Sequence, residues 1–161
     1  MNHHTFTHIK DDKPTMVDVT GKPESKRFAV AEVRVELGAQ IMALFDGDEL
    51  HGAKGPVLQT AIIAGTMAAK KTSELIPFCH PIPVEHCDFG IRHEPTGILI
   101  RCEVATTGRT GVEMEAMTGA SVAALAAYDM CKAMNKGIRI HDLHLVRKTG
   151  GKSGDYYTDP L

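Results

Sequence analysis

Tryptophan is absent from the 161 residues, and aromatic side chains make up only 5% of them. A core cannot be organised around large rings, so it must be filled by Val, Ile, Leu, Met and Ala, within a hydrophobic content of 43%. No uninterrupted apolar run approaches the length needed to span a bilayer; the best stretch, "VLQTAIIAGTMAA", is short and interrupted by polar residues. The first residues, "MNHHTFTHIKDDKPTMVDVTGK", lack the apolar segment of a secretory signal. No Cys-x-x-Cys pair occurs among the four cysteines, Cys79, Cys87, Cys102 and Cys131. They read as reduced thiols of a cytoplasmic protein rather than a disulfide framework. Strong charge of either sign is also missing: the net charge is −2, which gives no global signal for nucleic acid or membrane.

The length suits a single domain, expected over 16–161 and preceded by a flexible polar arm over 1–15. His3, His4 and His8 in that arm read as solvated side chains. "AEVRVEL" (31–37) alternates as a half-buried strand. A helix apolar on most sides is expected over 55–76, opened by Gly55-Pro56. Two strands over 84–92 and 98–105 are joined by the turn "HEPTG". "GVEMEAM" (111–117) reads as another alternating strand, and an alanine-rich helix follows over 120–136, with Gly137 past its end. A last strand, 138–148, breaks phase near Asp142, which predicts a bulge. Hairpins with two long helices predict an α+β sandwich of ferredoxin-like type, its mostly antiparallel sheet covered on one face.

Several constellations could carry chemistry. "IPFCHPIPVEHC" (76–87) holds two Cys and two His. They fall as adjacent pairs, whose side chains diverge along extended chain, whereas zinc ligands are normally spaced two to four residues apart. Cys87 belongs with Phe89 and Ile91 on the apolar side of a strand. His80 differs, because Pro81 and Pro83 stiffen its loop; it either faces a ligand or merely hydrogen-bonds in place. Glu113 and Glu115 would share a strand face, able to accept from a heterocycle's N–H groups or move protons, or to stand solvated. Asp129 and Lys132 share a helix face and by themselves read as an ordinary surface pair. Lys54, just before a helix, is disfavoured as a cation by the helix dipole, which suits an acid/base role. "RKTGGKSGD" (147–155) brings Arg147, Lys148 and Lys152 to a glycine-rich loop suited to phosphate, or to a plain flexible tail. Its "GKS" is not a Walker motif, since Val146 stands at the first glycine position and no helix follows.

Taken together, "MVDVTGK", "AKGPVLQTAIIAGTMAAKKTSELIPFCHPIP", "TGVEMEAMTGASVAALAAYDMCKA" and "KTGGKSGD" closely resemble the molybdenum cofactor biosynthesis protein C family, over about Met16 to Asp155. Phe78 stands where the family usually has Leu, and Pro56 where an acidic residue is common. The resemblance implies a lyase that rearranges a cyclised GTP derivative into cyclic pyranopterin monophosphate and releases diphosphate, as a homo-oligomer, a hexamer built as a trimer of dimers. It implies Lys54 and Lys132 as the acid/base pair with Asp129 beside them. Phe78, Cys79 and His80 would line the base or ribose end, Glu113, Met114 and Glu115 would receive the guanine-derived edge, and Arg27, Lys148 and Lys152 would hold phosphates. It calls for no resident cofactor or metal and leaves Mg²⁺ carried by the triphosphate open. Two other classes stay in view: a metal-dependent hydrolase built on Cys79, His80, Glu113 and Glu115, and a non-catalytic nucleotide-binding module. The apolar helix at 56–70 and the alanine-rich helix at 120–134 further predict a site completed between subunits.

Overall fold

The computed structural model describes residues 9–10, 13–152 and 154–158. His3, His4 and His8, like most of the arm expected over 1–15, lie outside these. Within the arm, Ile9–Lys10 and Lys13–Pro14 pair as a short antiparallel hairpin. The main elements are β1 (Ser25–Glu36), α1 (Val57–Ala69), β2 (His86–Glu94), β3 (Gly97–Gly108), α2 (Glu113–Cys131), β4 (Arg139–Thr149) and β5 (Tyr156–Tyr157). The sheet order is β2-β3-β1-β4-β5, and every pairing is antiparallel. Without the two-residue β5, the order βαββαβ and this strand arrangement are those of the ferredoxin-like fold.

β1 is longer than its clean alternation suggested. Ala29, Ala31, Val33 and Val35 are fully buried under the helices, but Val30 is buried as well, which blurs the period over the first half. Arg27 is carried on that hidden half. Cys87, Phe89 and Ile91 are half-buried and pack on the core from β2, as their alternation predicts. The phase break near Asp142 is a bulge: the β1–β4 register shifts between Glu32 and Arg34, and Asp142 takes a φ of 53°. Asp tolerates this left-handed conformation better than most residues.

The stretch 111–117 is not a strand. Glu113 begins α2, so Glu113 and Glu115 do not share a face. The alternation of Glu and Met coincides with good helix formers, and both acids fall in the first turn, where the helix dipole favours them. The helix then buries Ala116, Ala120, Ala123, Ala124 and Ala127 completely, a stripe at helical spacing laid on the sheet. Thr118-Gly119, just before the helix expected over 120–136, is interior to it. There α1 crosses closely: a Cβ on Gly65 would stand 2.8 Å from the Gly119 carbonyl oxygen and 2.5 Å from the Phe89 ring. The helix expected over 55–76 is α1 followed by a short turn of helix at Thr72–Leu75. No described helix is long and apolar enough to cross a membrane.

Candidate active site

The residues singled out in the sequence gather into two groups. The first surrounds a cavity of about 550 Å³ lined by Val17, Val19, Ile82, Phe78 and Met114 on its apolar side and by Cys79, His80, Glu113 and Glu115 among its polar groups. The proline-stiffened loop after Leu75 delivers Phe78, Cys79, His80 and Ile82, the segment before β1 delivers Val17 and Val19, and the first turn of α2 delivers Glu113, Met114 and Glu115. His80 Nε2 lies 2.7 Å from the carbonyl oxygen of Val17. A carbonyl only accepts, so Nε2 carries the proton and, in the neutral ring, Nδ1 is the acceptor. The same bond ties the segment before β1 across the cavity. In that segment the Asp18 carboxylate accepts from both the backbone N–H and the hydroxyl of Thr20, at 2.9 and 2.8 Å.

Glu115 is 3% exposed. Burial pushes its carboxyl up to about 7, and the neighbouring Glu113 charge acts in the same direction, against a hydrogen bond from its own backbone. Burial, followed by Glu115, also raises the Cys79 thiol. Glu113 instead receives Lys148 Nζ at 3.0 Å. Its carboxylate folds back over Gly111, so a Cβ at that position would have to push the Glu113 side chain aside.

A second cavity of about 460 Å³ shares Lys22, Thr110, Gly111, Glu113 and Lys148 with the first. Its wall also carries Arg27, Arg109 and Lys152. Five cations thus line a hollow whose one carboxylate is Glu113. Arg27 is fixed by donating from Nε to the Gly108 carbonyl at 3.3 Å. Arg109 donates to the Thr20 carbonyl at 3.4 Å and lies 3.7 Å from Glu24. Lys22 and Arg109 were not singled out in the sequence; nothing in their spacing marks them, although Lys22 falls in the "MVDVTGK" string.

The second group stands apart. Asp129 Oδ1 meets Lys132 Nζ and Asp129 Oδ2 meets Lys54 Nζ, both at 2.7 Å. Lys132 and then Lys54 hold the Asp129 carboxyl down at about 2, and Asp129 raises Lys132 in turn. Lys54 sits in the two-residue turn of a hairpin that pairs His51 with Pro56 and Gly52 with Gly55. A carboxylate therefore holds its ammonium, rather than the start of α1 repelling it. These three residues line neither cavity. Among the described residues, no three His, Cys, Asp or Glu side chains gather as a metal ion would need. The metal-dependent hydrolase reading thus has no ligand set there.

On this ferredoxin-like frame an apolar hollow with two carboxylates and an imidazole thus opens into a cation-lined hollow, a concave site of the kind that takes small molecules. The model of the MoaC family matches residues 16–151, and the chain belongs to that family. It is 53% identical over 149 residues to a protein of Xanthomonas oryzae pv. oryzae (strain MAFF 311018) named cyclic pyranopterin monophosphate synthase, covering 91% of this chain and 90% of that protein. It is 49% identical over 158 residues to a protein of the same name from Listeria monocytogenes serotype 4b (strain F2365), covering 97% and 98%.

Proposed function

We propose that this pocket carries the reaction for which those relatives are named, formation of cyclic pyranopterin monophosphate in molybdenum cofactor biosynthesis. The substrate is 3′,8-cyclo-7,8-dihydroguanosine 5′-triphosphate. The ring end lies against Phe78, Cys79, His80, Met114 and Glu115, with Glu113 at the junction. Arg27, Lys148 and Lys152 hold the phosphates, joined by Lys22 and Arg109. The observation that carries this reading is the shared wall: carboxylates and imidazole on one side of Lys148 and Glu113, cations on the other.

Ring opening and reclosure need protons moved at nitrogen, carbon and oxygen. Lys132, held as an ammonium by Asp129, starts as a donor; Lys54 on the other carboxylate oxygen completes an acid/base relay. In the phosphate step, a hydroxyl oxygen of the sugar-derived part attacks the α-phosphorus. Its proton passes to a base, the bond to the outer phosphates breaks, and diphosphate leaves with its charge met by the cation cluster. No resident metal or cofactor is assigned, and Mg²⁺ would arrive with the triphosphate. Four unpaired thiols suit a reducing cytoplasm.

The chain works as a homo-oligomer, a hexamer arranged as a trimer of dimers, and the site is completed between protomers. Two features support this. Asp129 lies at the far end of α2 from Glu113, about 24 Å along the axis at 1.5 Å per residue, which is too far for one small substrate to touch both groups of the same chain. The helix surface also exposes Ile63 (62%), Met67 (57%) and Leu125 (57%), apolar area that a neighbouring copy would cover.

The test is turnover by purified protein, with the pterin product and diphosphate appearing in equal amounts. Tight binding without product would instead favour the nucleotide-binding module.

A further inference from the structure

α1 has no cap of its own. Its N-cap residue is Pro56, which makes no side-chain capping bond, and the first turn holds no acidic residue. The first N–H groups of a helix need acceptors. They find one in Glu49, which comes from the other side of the preceding loop. Glu49 Oε1 accepts from the backbone N–H of Leu58 at 2.8 Å, and Oε2 accepts from Gln59 at 3.1 Å. Oε1 also accepts from Leu50 at 2.8 Å, and these three bonds together hold the carboxyl below the usual range despite its partial burial.

The carboxylate thereby clips together both ends of the segment 50–57. Leu50 and Val57 are anchored in the core, and Val57 N donates to the Leu50 carbonyl at 2.9 Å. Asp46 and Glu49 pair through their backbones just before it. The clipped segment is the hairpin whose turn carries Lys54 to Asp129. Gly55, paired just past that turn, has a φ of 110°, so the hairpin's own conformation is demanding and its base decides where the tip goes.

We propose that Glu49 is a positioning residue for the Lys54–Asp129–Lys132 group: it sets the base of the hairpin so that the Lys54 ammonium reaches Asp129. Its carboxylate substitutes, across the loop, for the acceptor an N-cap Asp would supply to Leu58 and Gln59. This rests on the reading of Lys54 as an acid/base group.

Glu49→Gln keeps the size but puts an N–H₂ donor against one of the backbone N–H groups. The expected result is a kcat lower by at least about tenfold with KM within about twofold, because chemistry and substrate pocket lie in different groups. In Glu49→Gln/Lys54→Ala, kcat should be no lower than in Lys54→Ala alone. Glu49→Ala/Pro56→Asp, which supplies a cap at the helix itself, should recover most of the kcat lost in Glu49→Ala; it also provides a folded protein to measure if Glu49→Gln unfolds. Unchanged kcat in folded Glu49→Gln, beside a slow Lys54→Ala, would overturn the role of Glu49 alone. A rise in KM equal to the fall in kcat, or no recovery by Pro56→Asp, would also overturn it. Full turnover in Lys54→Ala would remove the acid/base reading beneath it.

Discussion

Glu113 and Asp129 stand on one helix and face opposite needs: Glu113 at its start closes the cation-lined pocket through Lys148, and Asp129 near its end gathers Lys54 and Lys132. A rigid helix keeps them about 24 Å apart, whatever the loops around them do. For both to serve one substrate, as proposed, a second chain would have to bring its Asp129 group to the pocket.

Replacing either lysine of the Asp129 group separates chemistry from folding. Lys54 and Lys132 are about half exposed, and exposed ion pairs contribute little to stability. Lys54→Ala and Lys132→Ala should therefore leave the thermal midpoint nearly unchanged while turnover falls by at least about a hundredfold, the low end for general acid/base catalysis. Single-turnover kinetics beside thermal unfolding checks both parts.

Glu115 should impose an ionisation near neutrality. Its folded pKa of about 7 is above the ordinary 4.5, so between those values the folded chain holds a proton the unfolded chain has released. Stability consequently falls as pH rises from about 4.5 to 7, and the penalty persists above that range. Glu115→Gln should be stabilised relative to the parent at pH 8, by up to on the order of 3 kcal/mol, with the difference gone below about pH 4.5. In the proposed role of Glu115, where the ionised carboxylate accepts from the substrate's N–H groups, kcat/KM should rise through about pH 7, and that limb should be absent in Glu115→Gln.

The cation cluster should show itself in binding. Lys152→Ala and Arg27→Ala each remove a charged donor from the hollow proposed to hold the phosphates, and a hydrogen bond to a charged group is worth about 1.5–3 kcal/mol. KM should rise roughly tenfold or more, and inorganic diphosphate should lose affinity as an inhibitor by a similar factor.

The helix crossing should tolerate no added carbon. Gly119→Ala brings a Cβ to 2.7 Å from the Cys102 sulfur, and Gly65→Ala brings one against the Phe89 ring and the Gly119 backbone. Each should destabilise by about 1–3 kcal/mol in denaturant unfolding.

Much of the frame was legible because its strands alternate: Val33 and Val35, then Cys87, Phe89 and Ile91, point inward as their period requires, and Asp142 marks a real bulge. The alternation at 111–117 misled, because Glu, Met and Ala at every second place also suit a helix whose next turns are alanine. The families of side chains at the site were readable from their motifs, but their grouping was not. That Lys54 meets Asp129 depends on a small hairpin, and that Glu49 holds this hairpin depends on contacts across a loop with no sequence period. The departure at Pro56 is where α1 lacks its own cap, and Glu49 stands in its place.

The completion of the site between protomers is tested most directly by mixing two inactive proteins, Lys148→Ala and Asp129→Ala, after dissociation and reassembly, with subunit exchange verified by native mass spectrometry. If the pocket of one chain works with the Asp129 group of another, random pairing restores about a quarter of wild-type activity, since half the dimers are mixed and one site in each is intact. If each site is built from a single chain, every site keeps one defect, and a fully exchanged mixture with no activity would contradict the account.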